Sequence, residues 1–114
     1  MSTTKFLYLY RSPIASAPKP PSPDEMQAIF TRWTAWKSKF PDEIVDVGDG
    51  LQPGGVLFKG GTVSDGPFIE AKEVLAGYSI VAASSLARAI EIAKECPIAN
   101  MPGTSVEIRQ MMGF

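Results

Sequence analysis

The 114-residue sequence contains no histidine and a single cysteine, Cys96. Without histidine the chain lacks the commonest side chain that titrates near neutral pH and the commonest metal ligand. Catalysis by a Ser-His-Asp or Cys-His arrangement within one chain is therefore excluded. One cysteine also excludes an internal disulfide and fits a reducing compartment. We therefore expect a cytoplasmic protein without a cofactor.

A metal site is not expected either. Without histidine and with one cysteine, this chain can form only a metal site built entirely from oxygen ligands, of the kind that binds calcium or magnesium. Asp46 and Asp49, which stand beside Gly48 and Gly50, are the one cluster of the right type. Aspartates next to glycines are typical of turns, and we interpret these two as turn residues.

Excess charge and long apolar runs are also missing. A net charge of -1 and a pI near 5.4 provide no basic surface for a nucleic acid or an anionic membrane. The apolar run at 6–10 is too short for a signal sequence or a membrane span. The apolar share of 45% and the charged share of 20% are ordinary for one globular domain, which we place at 1–114.

Short apolar runs and turn residues predict the strands. We expect strands at 5–10, 43–47, 74–83 and 104–111, with a hairpin at 56–64 that turns at Gly60-Gly61. In the last strand, alternation separates an apolar side from a polar side that carries Glu107 and Arg109. The proline-rich segment that follows the first strand predicts an extended loop.

Capping residues and apolar periodicity predict two helices. Ser22 and Glu25 form a capping box at the start of the first helix, and Pro41 ends it. The second helix follows Ser84-Ser85 and ends at Cys96-Pro97. The first helix carries an apolar stripe that predicts a core-facing side, with a ligand-stacking wall as the alternative. The stripe consists of Met26, Ile29, Phe30, Trp33 and Phe40.

The order strand, helix, strand, hairpin, strand, helix, strand predicts a ferredoxin-like α+β sandwich of the βαββαβ type with an added hairpin. Two helices cover only one face of such a sheet, yet the strands at 5–10 and 74–83 are apolar on both faces. We therefore expect a homodimer that packs sheet to sheet, with a ligand cavity between the two copies.

Three segments carry a resemblance to a known family: "DGPFIEAKEVLAGYSIV", "SLARAIEIAKECP" and "SVEIRQM". They resemble the DGPF branch of the YCII-related proteins. The resemblance implies a dimeric α/β barrel but little chemistry, because most members of that branch have no assigned activity. Relatives that resemble muconolactone isomerase carry a His-Asp pair, which a chain without histidine cannot supply. The resemblance also implies a link to an extracytoplasmic-function sigma factor system.

Asp65 is the candidate catalytic residue. In an apolar cavity at the dimer interface, desolvation raises the pKa of a carboxyl group and suits it to acid/base work. The alternative is that Asp65 only caps a turn made with Gly66 and Pro67, which Phe68 anchors. The candidate ligand-binding residues are Phe68, Tyr78, Tyr10 and Arg109, of which the arginine suits a small acidic ligand or an ion pair with Glu107 across the dimer.

Three functions remain in competition. The first is a small-molecule-binding or enzyme-like protein with lyase- or isomerase-type chemistry at Asp65. The second is a non-catalytic regulatory or binding module linked to the sigma factor system. The third is a structural dimer without a ligand. The sequence favours the first, although it names neither a substrate nor a reaction.

Overall fold

The computed structural model of the chain describes residues 3–13, 22–52, 55–65 and 73–113. Within these residues the order of helices and strands agrees with the sequence prediction. The elements are β1 (Thr4–Pro13), α1 (Pro23–Lys39), β2 (Ile44–Asp46), β3 (Val56–Lys59), β4 (Thr62–Asp65), β5 (Glu73–Ala83), α2 (Leu86–Lys94), a 3-10 helix (Pro97–Asn100) and β6 (Ser105–Gln110).

Four strands form an antiparallel sheet in the order β2-β5-β1-β6. The two long strands, which are apolar on both faces, occupy the centre of the sheet. This α+β arrangement of two helices and an antiparallel sheet is compatible with the ferredoxin-like fold expected from the sequence. In the register of the sheet, Tyr8 of β1 lies opposite Ser79 on β5 and opposite Ile108 on β6.

The core lies on one face of this sheet, which we call the helix face. Phe6, Tyr8 and Tyr10 of β1 are buried there, while the alternating Leu7 and Leu9 lie on the other face, which we call the open face. Two hydrogen bonds tie the helices to this core. The Tyr8 hydroxyl donates to the Ala89 carbonyl, and the Trp36 indole donates to the Ile92 carbonyl at 3.0 Å.

Cys96 is fully buried in the same core. Burial raises the pKa of its thiol, so that the group stays protonated and unreactive at neutral pH. The residue therefore serves as a packed core side chain.

Side chains cap both helices where the sequence indicates. The Ser22 hydroxyl accepts from the Glu25 amide at 3.2 Å, and the Glu25 carboxylate accepts from the Ser22 amide at 3.5 Å. This confirms the capping box of α1. At the start of α2 it is Ser85 whose hydroxyl accepts from the Arg88 amide, at 3.1 Å.

The hairpin of β3 and β4 forms a separate two-stranded sheet. Its turn residues Gly60 and Gly61 have φ angles of +58° and +81°. Two consecutive positive φ angles are the requirement of a type I′ turn, which explains the two glycines. The predicted hairpin is confirmed, with β4 extending one residue further, to Asp65.

Part of the candidate site lies outside the described residues. This applies to 66–72, which carry Phe68 and the rest of the DGPF motif, and to most of the proline-rich loop at 14–21. Asp65 is described through its backbone, which pairs with Val56. No helix in the described part of the chain is long and apolar enough to cross a membrane.

Candidate functional site

Helix α1 packs on the sheet only through its C-terminal half. Trp36 and the capping residue Phe40 are 3% and 7% exposed, whereas Met26 and Phe30 in the N-terminal half are 54% and 67% exposed. The two halves carry the same apolar stripe, so the difference comes from what lies opposite them. The N-terminal half leaves a space between itself and the sheet.

That space is a cavity of about 680 Å³, which we call the α1 cavity. One wall is α1, which contributes four residues of the apolar stripe together with Thr34 and Lys37, and the floor includes Tyr10 of β1. The loop that follows β2 and Ile98 of the 3-10 helix complete the wall. A volume of this size falls in the range of small-molecule sites, roughly 300–1,000 Å³.

Aromatic rings meet at the inner end of the α1 cavity. The ring of Tyr10 lies 5.5 Å from that of Trp33, and Trp33 meets the buried Trp36 edge to face at 5.6 Å. Ring separations of this kind are typical of favourable aromatic pairs. Trp33 therefore offers the cavity an aromatic surface that is held in place from two sides.

A chain of hydrogen bonds fixes the Tyr10 hydroxyl. This group donates to the Ser79 hydroxyl at 2.7 Å, and Ser79 donates in turn to the Val47 carbonyl. Burial raises the pKa of Tyr10 far above its ordinary value, so the phenol stays protonated at neutral pH. Tyr10 acts here as a fixed neutral wall of the cavity.

Two glycines allow the loop after β2 to lie directly on β5. Gly48 has a φ of +76°, and a Cβ atom at this position would stand 1.9 Å from the Tyr78 carbonyl oxygen. A Cβ atom on Gly77 would stand 2.9 Å from the Asp49 carbonyl oxygen. A hydrogen bond joins the loop to β5, because the Tyr78 amide donates to the Asp49 carbonyl at 3.3 Å. This side of the cavity thus depends on the absence of side chains.

The charged groups of the cavity wall are already hydrogen-bonded. The Lys37 ammonium group donates to the Ile44 carbonyl. The Asp49 carboxylate accepts from the Gly50 amide at 2.7 Å. One cation and one carboxylate, each with a partner from its own chain, leave a nearly neutral site with a mostly apolar wall. Among the described residues there is no group of three or more potential metal ligands.

The residues predicted from the sequence are divided between two faces. Tyr10 and Tyr78 both border the α1 cavity, although the register of Tyr78 opposite Leu9 assigns its side chain to the open face. Arg109 lies opposite Leu7 on the open face. The structure therefore places the Tyr10 side chain on the cavity side of the sheet and the side chains of Tyr78 and Arg109 on the open face.

Arg109 has an ion-pair partner in its own strand. Glu107 accepts from Arg11 at 3.0 Å and from Arg109 at 3.3 Å. Both hydrogen bonds lower the pKa of the Glu107 carboxyl group, and the bond from Arg11 has the larger effect. The intrachain pair occupies the Arg109 guanidinium on one side.

Sequence reasoning missed Ser79 as a site residue. The signal was available, because Ser79 interrupts an otherwise apolar strand, and a buried hydroxyl needs a partner. The sequence indicated Met26 and Phe30 as cavity residues only through the alternative interpretation of the stripe as a ligand-stacking wall. Periodicity alone does not distinguish a core-facing side of a helix from a cavity wall.

A comparison with known protein families matches residues 21–113 to the YCII-related domain. The chain belongs to the YCII-related family. In this YCII-related protein the matched region includes α1, the loop after β2 and the 3-10 helix, and hence most of the cavity wall. Tyr10 precedes the matched region. A search of curated proteins finds no match.

Proposed function

We propose that this YCII-related protein binds a small, neutral, largely apolar molecule with an aromatic ring in the α1 cavity. The observation that carries the proposal is the exposed apolar N-terminal half of α1 around a 680 Å³ space. Burying Met26 and Phe30 against a ligand recovers hydrophobic free energy of about 1.5–3 kcal/mol for each fully covered side chain.

The charge of the site supports a neutral ligand. A carboxylate placed in the α1 cavity loses its hydration against a mostly apolar wall, and the charge of Lys37 in that wall is offset by the opposite charge of Asp49. Arg109, which suits an acidic ligand, lies on the open face. The aromatic preference follows from Tyr10 and Trp33, whose rings favour edge and offset contacts with another ring.

Calorimetric titration with 2-naphthol and with 2-naphthoate tests this proposal. The two probes share their rings and differ in charge at neutral pH. We expect 2-naphthol to bind at least tenfold more tightly than 2-naphthoate. Tighter binding of the anion would contradict the neutral site.

Two variants test the location of the site. Phe30 and Phe58 are exposed to nearly the same extent, at 67% and 69%, but only Phe30 borders the α1 cavity. Phe30→Ala is expected to weaken 2-naphthol binding about fivefold, which corresponds to one lost aromatic contact. Phe58→Ala is the matched control and leaves the affinity unchanged. Equal effects of the two substitutions would place the binding elsewhere.

Acid/base chemistry at Asp65 is a separate proposal. Its support is the motif Asp65-Gly66-Pro67-Phe68, which also supports assignment to the DGPF branch. A lyase or isomerase reaction would need the Asp65 carboxyl group near a bound substrate. The binding function proposed for the α1 cavity does not depend on this chemistry.

A further inference from the structure

The polar groups of the α1 cavity lie toward one edge of the sheet. Lys37 reaches this edge, because its ammonium group donates to the carbonyl of Ile44 on β2, the edge strand next to β5. Thr34 lies one turn before Lys37 on the same side of α1, and both residues border the cavity. Ile98, in contrast, belongs to the 3-10 helix that contacts β6, the strand at the opposite edge. The cavity therefore has a polar end beside β2, which we call the β2 end, and an apolar end toward β6.

The Lys37 ammonium group has hydrogen-bonding capacity beyond its bond to Ile44. An ammonium group carries three N–H donors, and the Ile44 carbonyl takes one of them. Lys37 is half-buried, and it forms part of the cavity wall. A ligand oxygen at the β2 end can therefore accept from another of these donors while the bond to Ile44 stays in place.

The aromatic wall of the cavity adjoins this donor. Trp33 precedes Lys37 by four residues and Phe30 precedes Trp33 by three, and these spacings bring side chains together on a helix surface. Both aromatic residues border the α1 cavity, and the Trp33 ring lies 5.5 Å from the ring of Tyr10. A ligand ring that packs on Trp33 therefore has the Lys37 side chain as its neighbour, one helical turn nearer the C-terminal end of α1.

We propose, on the basis of the binding function proposed above, that the ligand of the α1 cavity is a phenol and that Lys37 donates a hydrogen bond to its hydroxyl oxygen. The hydroxyl proton of the ligand is then donated to the Thr34 hydroxyl, which can accept. A carbonyl or ether oxygen would use only the first of these bonds, and a hydrocarbon would use neither. A phenol is neutral at pH 7, which suits a wall in which the charges of Lys37 and Asp49 offset each other.

The hydration of the hydroxyl group decides the preference between a phenol and the parent hydrocarbon. A hydroxyl group that leaves water without gaining a hydrogen bond loses free energy, so an apolar cavity without a donor prefers naphthalene to 2-naphthol. A hydrogen bond from a charged donor reverses this preference, because such bonds are stronger than those between neutral groups. The sign of the preference therefore reports whether Lys37 is bonded to the ligand oxygen.

Equilibrium dialysis of 2-naphthol and naphthalene against the wild type, Lys37→Met and Lys39→Met tests the proposal. Lys39→Met is the matched control: it removes the same charge from the same helix, but Lys39 pairs with Glu95 and is not among the described residues that border the cavity. We expect the wild type and Lys39→Met to prefer 2-naphthol by about fivefold or more, and Lys37→Met to prefer naphthalene. A wild type that binds naphthalene as tightly as 2-naphthol overturns the proposal without any variant.

Thr34→Val supplies a second variant that leaves the bond between Lys37 and Ile44 in place. It removes the accepting hydroxyl, so we expect the affinity for 2-naphthol to fall about threefold and the affinity for naphthalene to stay unchanged. An unaltered preference for 2-naphthol in both Lys37→Met and Thr34→Val overturns the hydroxyl contact but leaves the α1 cavity as the binding site. Failure of the binding function itself is distinct, because Phe30→Ala would then leave the affinity for both probes unchanged.

Discussion

Ser79 connects the sheet to the loop that borders the α1 cavity. It is a fully buried hydroxyl that accepts from Tyr10 and donates to the Val47 carbonyl. Ser79→Ala removes both hydrogen bonds and takes the Ser79 hydroxyl away from the buried Tyr10 hydroxyl, and we expect a loss of about 1–3 kcal/mol in the free energy of unfolding. Urea denaturation measures this loss.

Tyr10→Phe is the matched comparison for Ser79→Ala. It removes one donor but leaves Ser79 bonded to Val47, so the expected loss is about 0.5–1.5 kcal/mol. We therefore predict that Ser79→Ala lowers the free energy of unfolding more than Tyr10→Phe does. A Tyr10→Phe variant that is less stable than Ser79→Ala would contradict the chain of hydrogen bonds described here.

Glu43 and Arg88 make the stability of the chain depend on pH. The Arg88 guanidinium donates two hydrogen bonds to the Glu43 carboxylate, at 2.9 and 2.7 Å. These bonds lower the pKa of Glu43 from 4.5 and outweigh the opposite effect of burial. A carboxyl group with a lowered pKa stabilises the fold above its unfolded pKa, and this contribution is lost as the pH falls through the folded pKa.

Glu43→Gln removes this contribution. Thermal melts should show a lower Tm than the wild type between pH 6 and 8. The difference in Tm between the two proteins should shrink below about pH 4.5. A difference that grows on acidification would contradict the assigned pairing.

At the scale of elements, Gly48 tests how closely the loop after β2 approaches β5. Gly48→Ala introduces a positive φ for a non-glycine residue and also a clash with the Tyr78 carbonyl. Gly60→Ala introduces only the positive φ, because no atom lies within 4 Å of the position that an added Cβ atom would take. We expect Gly60→Ala to cost about 1–2 kcal/mol of unfolding free energy. Gly48→Ala should cost about 1–3 kcal/mol more, as in other cases of overpacking.

The two glycine variants are compared by urea denaturation. In addition, Gly48→Ala moves a wall of the α1 cavity and should weaken 2-naphthol binding, whereas Gly60→Ala should not. Equal stability of the two variants would show that the loop does not need the close approach.

Helices and turns were predictable from the sequence where the signal is local. Ser22 and Glu25 reveal the start of α1 because a capping box involves only neighbouring residues. Gly60-Gly61 reveals the hairpin for the same reason. The extension of β1 to Pro13 was not predictable, since it depends on pairing with β5 beyond an irregularity at Tyr10 and Arg11.

At the scale of the whole molecule, the sequence predicted apolar surface on both faces of the sheet. Leu7 and Leu9 do alternate with the buried Phe6 and Tyr8, which explains this prediction. The α1 cavity, however, lies on the helix face and within one chain. Local patterns indicate which side of α1 is apolar, but the distance between α1 and the sheet depends on tertiary packing. The pocket predicted between two copies stays a prediction.

The most direct test of the proposed function uses the two tryptophans. Trp33 borders the α1 cavity, whereas the Trp36 indole is buried and bonded to the Ile92 carbonyl. A ¹⁵N-labelled sample gives one indole N–H signal from each. During titration with 2-naphthol, we expect the Trp33 signal to shift progressively and the Trp36 signal to shift several-fold less. Unchanged Trp33 with shifts confined to the open-face residues Leu7 and Leu9 would contradict a ligand site in the α1 cavity.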